Sequence, residues 1–400
     1  MFTSLPALVG AAALLAAGPD RVKLVDGGKV LEGRVVSEGA GEIILRKGGK
    51  DQRIPRQEIA EIHSLERSLS VLIDRDLKSS DAKALEAMAT ECEQAGLTAE
   101  AKNLWIRVLL ADPTHAAAVK ALGAQRIKDE VKVPFGKEKH KLSDLAVRQA
   151  SWKDAYAIES THFVLRSDLD LAYALDLSIA LERFYRRFYD TLGHALELYV
   201  FDEAPEVSIY GHSTDFPVGP EKSDVIWFAP GINRLHVLAE TDPSVASVVH
   251  EMSRLMLFNA LRRSAGATAQ VPQWTVIGIA QMFAKAAPSE RFGAWSEIGK
   301  PDPGAFELAQ RASIPFERVF NATANDFSAE AKSAEMTASA YSLVHFFVFD
   351  KDGWLRANYG RFLREGAKGK ISMNALTGAV GLDAKELESQ WRAYIGSQAK

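Results

Sequence analysis

The chain has 400 residues, 47% of them hydrophobic and 25% charged, which is enough apolar content for real cores and excludes a disordered chain as the default. The formal net charge of −4 argues against a dedicated nucleic-acid binder, which carries a strong basic excess. A single cysteine, Cys92, excludes an internal disulfide and a cysteine metal site.

The chain opens with an apolar run from Leu5 to Ala17, broken at Gly18-Pro19-Asp20. The run is shorter than the ~20 residues a membrane span needs and ends among small residues. Residues 1–18 are therefore expected to be a signal peptide, although no Lys or Arg precedes the run, and the protein to be exported to the periplasm or beyond. No later segment is long and apolar enough to span a membrane.

Residues 19–65 predict short strands. Val22, Leu24, Val35, Ile43, Leu45 and Ile54 supply strand residues, and Gly27-Gly28 and Gly48-Gly49 supply turns, because glycine takes positive φ without steric cost. In pattern this piece resembles a small SH3-like or Sm-like β-barrel. Residues 66–130 predict helices. Ala89, Gly96, Ala101 and Trp105, counted back from Pro113, resemble the tetratricopeptide pattern, in which small residues let two helices approach and a large one fills the groove. A second unit begins at Ala116. One and a half repeats suits either a partner-binding surface or a helical spacer. Residues 131–151, within a stretch holding Lys128, Lys132, Lys137, Lys139 and Lys141, are expected to be a solvated linker.

From Trp152 to the end the pattern is α+β. His162–Arg166, Leu196–Phe201, Val225–Phe228 and Arg234–Leu238 predict strands. Leu177, Leu181, Phe184, Phe188 and Leu192 recur at helical spacing before Gly193. Asp242-Pro243 predicts a helix start, as does Asp383 with Glu386 three residues on.

The helix expected after Asp242 contains His250-Glu251-Met252-Ser253-Arg254. A zinc peptidase of the H-E-x-x-H type needs histidines four apart, so that one helix face grips one metal, with the glutamate polarising the bound water. Here the second histidine is replaced by Arg254, which has only donors and no lone pair for a metal. Further on stands Gln273-Trp274-Thr275-Val276-Ile277-Gly278-Ile279-Ala280.

With the order Thr161-His162-Phe163, the helix ending at Gly193, His250-Glu251, Trp274/Gly278/Ala280, Tyr341–Phe347 and Trp391–Tyr394, residues 152–400 resemble the peptidase-MA-like, gluzincin-type domain of exported bacterial proteins. The resemblance implies a thermolysin-like minimal metallopeptidase fold. It maps His250 onto the first zinc ligand and Glu251 onto the general base. It puts Arg254 and Ile277 at the two other ligand positions, where neither can ligate. His250 and Glu251 are then vestigial, and no cofactor is expected.

The function expected is a catalytically inactive metallopeptidase-like protein that binds a peptide or protein partner in the cell envelope. The strand Arg234-Leu235-His236-Val237-Leu238 is expected to be the edge that pairs with the partner's main chain. Two alternatives stand beside this. One is an active metal-dependent peptidase with a non-standard site, in which zinc is the cofactor. The other is a structural module acting through its tetratricopeptide-like helices. Neither a nucleic-acid partner nor a transmembrane span beyond the leader is expected.

Overall fold

A computed structural model describes residues 19–73, 75, 81–135, 138–221, 224–266, 269–289, 293–328, 333–351 and 353–399. The expected leader, residues 1–18, lies outside the described residues. The fold is mixed α+β, with an antiparallel N-terminal sheet and a mainly helical C-terminal half.

Five strands open the chain: β1 (Asp20–Leu24), β2 (Val30–Glu38), β3 (Glu42–Lys47), β4 (Lys50–Pro55) and β5 (Ile59–His63). They form an antiparallel sheet in the order β4-β3-β2-β1-β5. Gly48 and Gly49, at φ 55° and 76°, close the β3–β4 hairpin in the left-handed conformation that a two-residue turn requires. Val22, Val35, Ile43, Leu45, Ile54 and Ile62 make a small separate core. A bulge in β2 between Val35 and Ser37 turns Val36 out of that core and into the main one.

Three helices follow: α1 (Leu65–Ile73), α2 (Ala82–Gln94) and α3 (Thr98–Ala111). The last two form a hairpin about Gly96, at φ 77°, with Ala89, Ala101 and Trp105 buried. The Trp105 indole donates to Glu93 Oε1 at 2.8 Å. The second unit does not continue the pattern. After the short α4 (Ala116–Ala121) the chain enters a three-stranded antiparallel sheet of β6 (Gln125–Ile127), β7 (Glu130–Phe135) and β8 (Glu138–Lys141), then α5 (Leu142–Leu145). The linker expected over 131–151 is therefore largely folded. Val131, Val133 and Phe135 alternate with Lys132 and Pro134 along β7 and bury one face, a period-2 signal masked by the surrounding lysines.

The second sheet holds β9 (Tyr156–Glu159), β10 (Val164–Ser167), β11 (Glu206–Tyr210), β12 (Ile226–Ala229) and β13 (Arg234–Leu238), in the order β12-β13-β11-β10-β9. The three central strands are parallel and the two outer ones antiparallel to them. Leu165, Val207, Ile209, Leu235 and Val237 are buried on one face. Helix α6 (Leu171–Phe188), prolonged by a wider turn over Tyr189–Gly193, follows β10.

Two expectations are corrected in this region. Leu196–Phe201 is not a sheet strand. It runs beside the β2 bulge, where Val200 N–H donates to the Val36 carbonyl at 2.9 Å, and its apolar side chains are buried in the main core, Phe201 against Phe163, Tyr185 and Tyr189. The long helix does not start at Asp242. That residue closes the preceding turn at φ 47°, so the cap passes to Ser244, whose Oγ accepts from Ser247 N–H at 3.1 Å.

The helix so capped is α7 (Val245–Ala265), followed by α8 (Gln273–Ala286), α9 (Pro303–Ala312), α10 (Phe316–Phe320), α11 (Ala324–Ser328), α12 (Ser333–Phe349), α13 (Trp354–Glu365), α14 (Met373–Val380) and α15 (Ala384–Gln398). Helix α8 packs between α7 and α12. Gly278 sets that spacing, since a Cβ there would lie 2.5 Å from Val344 Cγ2 and 2.6 Å from the Ala340 carbonyl. Helix α15 starts at the capping box expected from Asp383 and Glu386.

Candidate functional site

Helix α7 divides its faces. Val249, Met252 and Met256 are buried toward the core. His250, Glu251 and Arg254 lie toward the other side of the helix, as the 100° step between residues requires. Glu251 is the least exposed of the three, at 14% of its side chain against 25% for His250 and 38% for Arg254.

The Glu251 carboxylate is surrounded by donors. Arg254 Nη1 donates to Oε1 at 3.0 Å and to Oε2 at 2.8 Å. His250 Nδ1 lies 3.3 Å from Oε1, and the backbone N–H of Phe228 on β12 donates to Oε2 at 3.3 Å. Burial pushes the Glu251 carboxyl up. The hydrogen bond from His250 and the adjacent Arg254 cation outweigh it and hold the group below the usual carboxylate range. The pairing of Arg254 with Glu251 follows from their i, i+3 spacing on one helix.

Ile277, on α8, is half-buried and packs against the main apolar core. The residues present do not fit a three-ligand zinc site. The four positions offer one imidazole, a carboxylate already bound to a guanidinium, the guanidinium itself and an aliphatic chain. Among the described residues, no group of three or more His, Cys, Asp or Glu is placed to hold a metal ion.

The strand Arg234–Leu238 is not an edge. It lies between β12 and β11 and is hydrogen-bonded on both sides. Its hairpin partner β12 takes the edge, folded outward by the turn Pro230–Asn233, in which Asn233 adopts φ 49°. His236 is accordingly buried. It stacks on Trp227 at 4.4 Å between ring centroids, and its Nδ1 lies 3.0 Å from the Tyr210 hydroxyl. His345 is equally internal. Its Nε2 donates to the Gly299 carbonyl at 2.8 Å, so its Nδ1 accepts from the Tyr394 hydroxyl at 2.7 Å. Both ring nitrogens are thus used within the fold.

A second polar cluster has no counterpart in the sequence reading beyond the Thr161-His162-Phe163 segment. His162, at the turn between β9 and β10, is 1% exposed. Its Nδ1 lies 2.7 Å from Glu182 Oε2 on α6, and its Nε2 lies 2.9 Å from Glu66 Oε1 on α1. Glu182 Oε1 also accepts the His162 backbone N–H at 2.8 Å. The ring stacks on Tyr185 at 3.4 Å. Burial alone would lower the His162 pKa, but Glu66 and Glu182 together raise it to about 10. His162 is therefore an imidazolium between two carboxylates, joining α1 to the second sheet and α6. No local pattern announces it, because its partners are 20 and 96 residues away.

Comparison of the chain with protein-family models, with curated proteins and with solved structures finds no match.

Replacing Arg254 by methionine tests the pairing on α7. A hydrogen bond to a charged group is worth about 1.5–3 kcal/mol, and the exposure of Arg254 reduces this toward about 1 kcal/mol. Arg254→Met is expected to lower the denaturation free energy by that amount at pH 7. The loss shrinks as pH falls through the depressed Glu251 pKa, where the carboxylate is protonated with or without its partner. A variant as stable as the parent at pH 7 would show that the pair contributes nothing.

Proposed function

We propose that residues 152–400 form a gluzincin-type, thermolysin-like metallopeptidase scaffold that has lost its metal chemistry and serves to bind a peptide or protein partner of the cell envelope. The observation that carries this reading is the state of Glu251. A general base needs a free lone pair aimed at a water, whereas both oxygens of Glu251 accept from Arg254 and one also accepts from the Phe228 amide. The cation at position 254 does electrostatically what a metal would do for this carboxylate, but it cannot polarise a water as a Lewis acid does.

Edge strand β12 supports the binding half of the proposal. Phe228 N–H points away from β13, toward Glu251. By the alternation of an antiparallel ladder, the main-chain groups of Ile226 point the same way. An extended peptide can add without a metal at Ile226, next to the Phe228 N–H that Glu251 already holds. Export to the periplasm or beyond, expected from Leu5–Ala17, belongs to the same proposal.

Metal analysis and a cleavage assay test the reading together. Protein purified without chelator is expected to carry far less than one zinc per chain and to show no chelator-sensitive cleavage of unfolded protein substrates. Stoichiometric zinc, with cleavage abolished in Glu251→Gln, would replace this reading by that of an active peptidase.

A further inference from the structure

Between α1, α2, α3 and α6, where the N-terminal half meets the second sheet, lies a cavity of about 40 Å³. Much of its lining is apolar, but Glu100, Asn103 and Arg107 from α3, Ser160 from the β9–β10 turn, and Ser178 and Glu182 from α6 also face it. Two of these residues have buried atoms without a hydrogen-bond partner among the described residues. They are Glu100 Oε2, an acceptor when ionised, and Arg107 Nη1, a donor. Arg107 is 5% exposed and its other terminal nitrogen bonds Asp176. Glu100 Oε1 accepts from Thr161 N–H at 2.7 Å.

A buried carboxylate oxygen without a donor costs on the order of 1–3 kcal/mol, and more when charged. Here burial pushes the Glu100 carboxyl up, and the neighbouring Glu182, which faces His162 across the cavity wall, pushes it the same way. Protonating Glu100 removes the charge and turns Oε2–H into a donor. The charged groups facing this junction are then His162 and Arg107 against Glu66, Asp176 and Glu182, with Arg183 beside Arg107 and the Cys92 thiol neutral. A water needs about 10–15 Å³ of such space, so the cavity has room for two or three.

We propose that Glu100 is a neutral carboxylic acid in the folded protein at neutral pH, and that the cavity beside it is a hydration site whose water joins the Glu100 hydroxyl to the Arg107 guanidinium. Such a water accepts from Oε2–H and from Nη1–H. Its two hydrogens go to two of the three acceptors in the lining, the Ser160 and Ser178 hydroxyls and the Glu182 carboxylate. The site closes the junction between the halves of the molecule, and it ties that junction to pH. A group protonated in the fold but ionised when unfolded stabilises fully below its unfolded pKa, and this stabilisation is lost as pH rises through the folded value.

Infrared difference spectroscopy on the full chain tests the proton directly. At pH 7 the wild type is expected to show a carbonyl band of a protonated carboxyl group, shifted by deuterium exchange and absent in Glu100→Gln. No such band in the wild type, or a band that persists in Glu100→Gln, overturns the assignment. Glu100→Gln mimics the neutral acid, so it is expected to fold and to gain stability relative to the wild type as pH rises from 5 to 8. A variant that instead loses stability at every pH, as a broken ion pair would, overturns it as well. In a crystal structure, ordered density is expected within hydrogen-bond distance of both Glu100 Oε2 and Arg107 Nη1, and a dry cavity overturns the hydration half.

Discussion

Replacing His162 by leucine is expected to cost about 3–5 kcal/mol, the range for removing one partner of a buried ion pair. The cost arises from what is left behind. Glu182 is 2% exposed and Glu66 21%, and each would lose the cation it faces. Leucine also leaves the Tyr185 face without its stacked ring. The dependence on pH has a definite sign. The His162 pKa is raised to about 10 in the fold from an ordinary 6.5, so its contribution is complete below 6.5 and is lost as pH rises toward 10. Glu66 is held below its ordinary 4.5, burial being outweighed by His162, so its contribution is lost as pH falls below that value. The cluster therefore stabilises most between about 4.5 and 6.5. Denaturant midpoints measured from pH 5 to 10 are expected to fall for the wild type. They are expected to fall less steeply for His162→Leu in the Glu100→Gln background than for Glu100→Gln alone, since Glu100 and Asp176, whose contributions fade in the same direction, are then alike in both. Equal slopes for that double variant and for Glu100→Gln would show that His162 carries no charge in the fold.

The parts of the fold that were legible in the sequence are those fixed by neighbours a few residues apart. The glycine pairs at 27–28 and 48–49 mark turns because their positive φ is a local demand. The box of Asp383 and Glu386 closes within one helical turn. The pairing of Arg254 with Glu251 likewise needs only the helix that carries both. The misread segments depend on distant partners. Whether Arg234–Leu238 or Ile226–Ala229 takes the edge is decided by which strand β11 accepts, and both are short, apolar and adjacent. Leu196–Phe201 is apolar because it packs into the main core, with Phe201 against Phe163 and Tyr185, while only its Val200 N–H pairs with β2, some 160 residues earlier; an apolar run of that length reads as a strand. Asp242 and Ser244 are both good caps, and the choice between them is made by the turn at 239–241. The His162 cluster was hidden for the same reason, since a lone histidine before a strand carries no mark of glutamates on two separate helices.

The paired change Arg254→His with Ile277→Glu is expected to convert α7 and α8 into a zinc site, with zinc bound at least about 100-fold more tightly than by either single variant. A shift of 10–100-fold follows even from loss of an outer-shell partner, so a missing ligand sets at least that scale. His250 and a histidine at 254 would share one helix face. The same exchange frees Glu251 from the guanidinium that now binds both its oxygens. Each single change leaves a ligand short, and each has its own cost. Arg254→His strips the half-buried Glu251 of its strongest cation. Ile277→Glu places a carboxylate on a half-buried, apolar position of α8. In the double variant the metal compensates both, and the binding free energy appears as folding free energy, about 2.7 kcal/mol at zinc one hundred times its dissociation constant. Unfolding midpoints with and without zinc are the measurement. A zinc-dependent rise confined to the double variant supports a scaffold that keeps the ligand geometry of a metallopeptidase. The absence of any rise, in a double variant that folds, would mean that positions 250, 254 and 277 do not converge on one point, and the gluzincin reading of this half of the chain would fall with it.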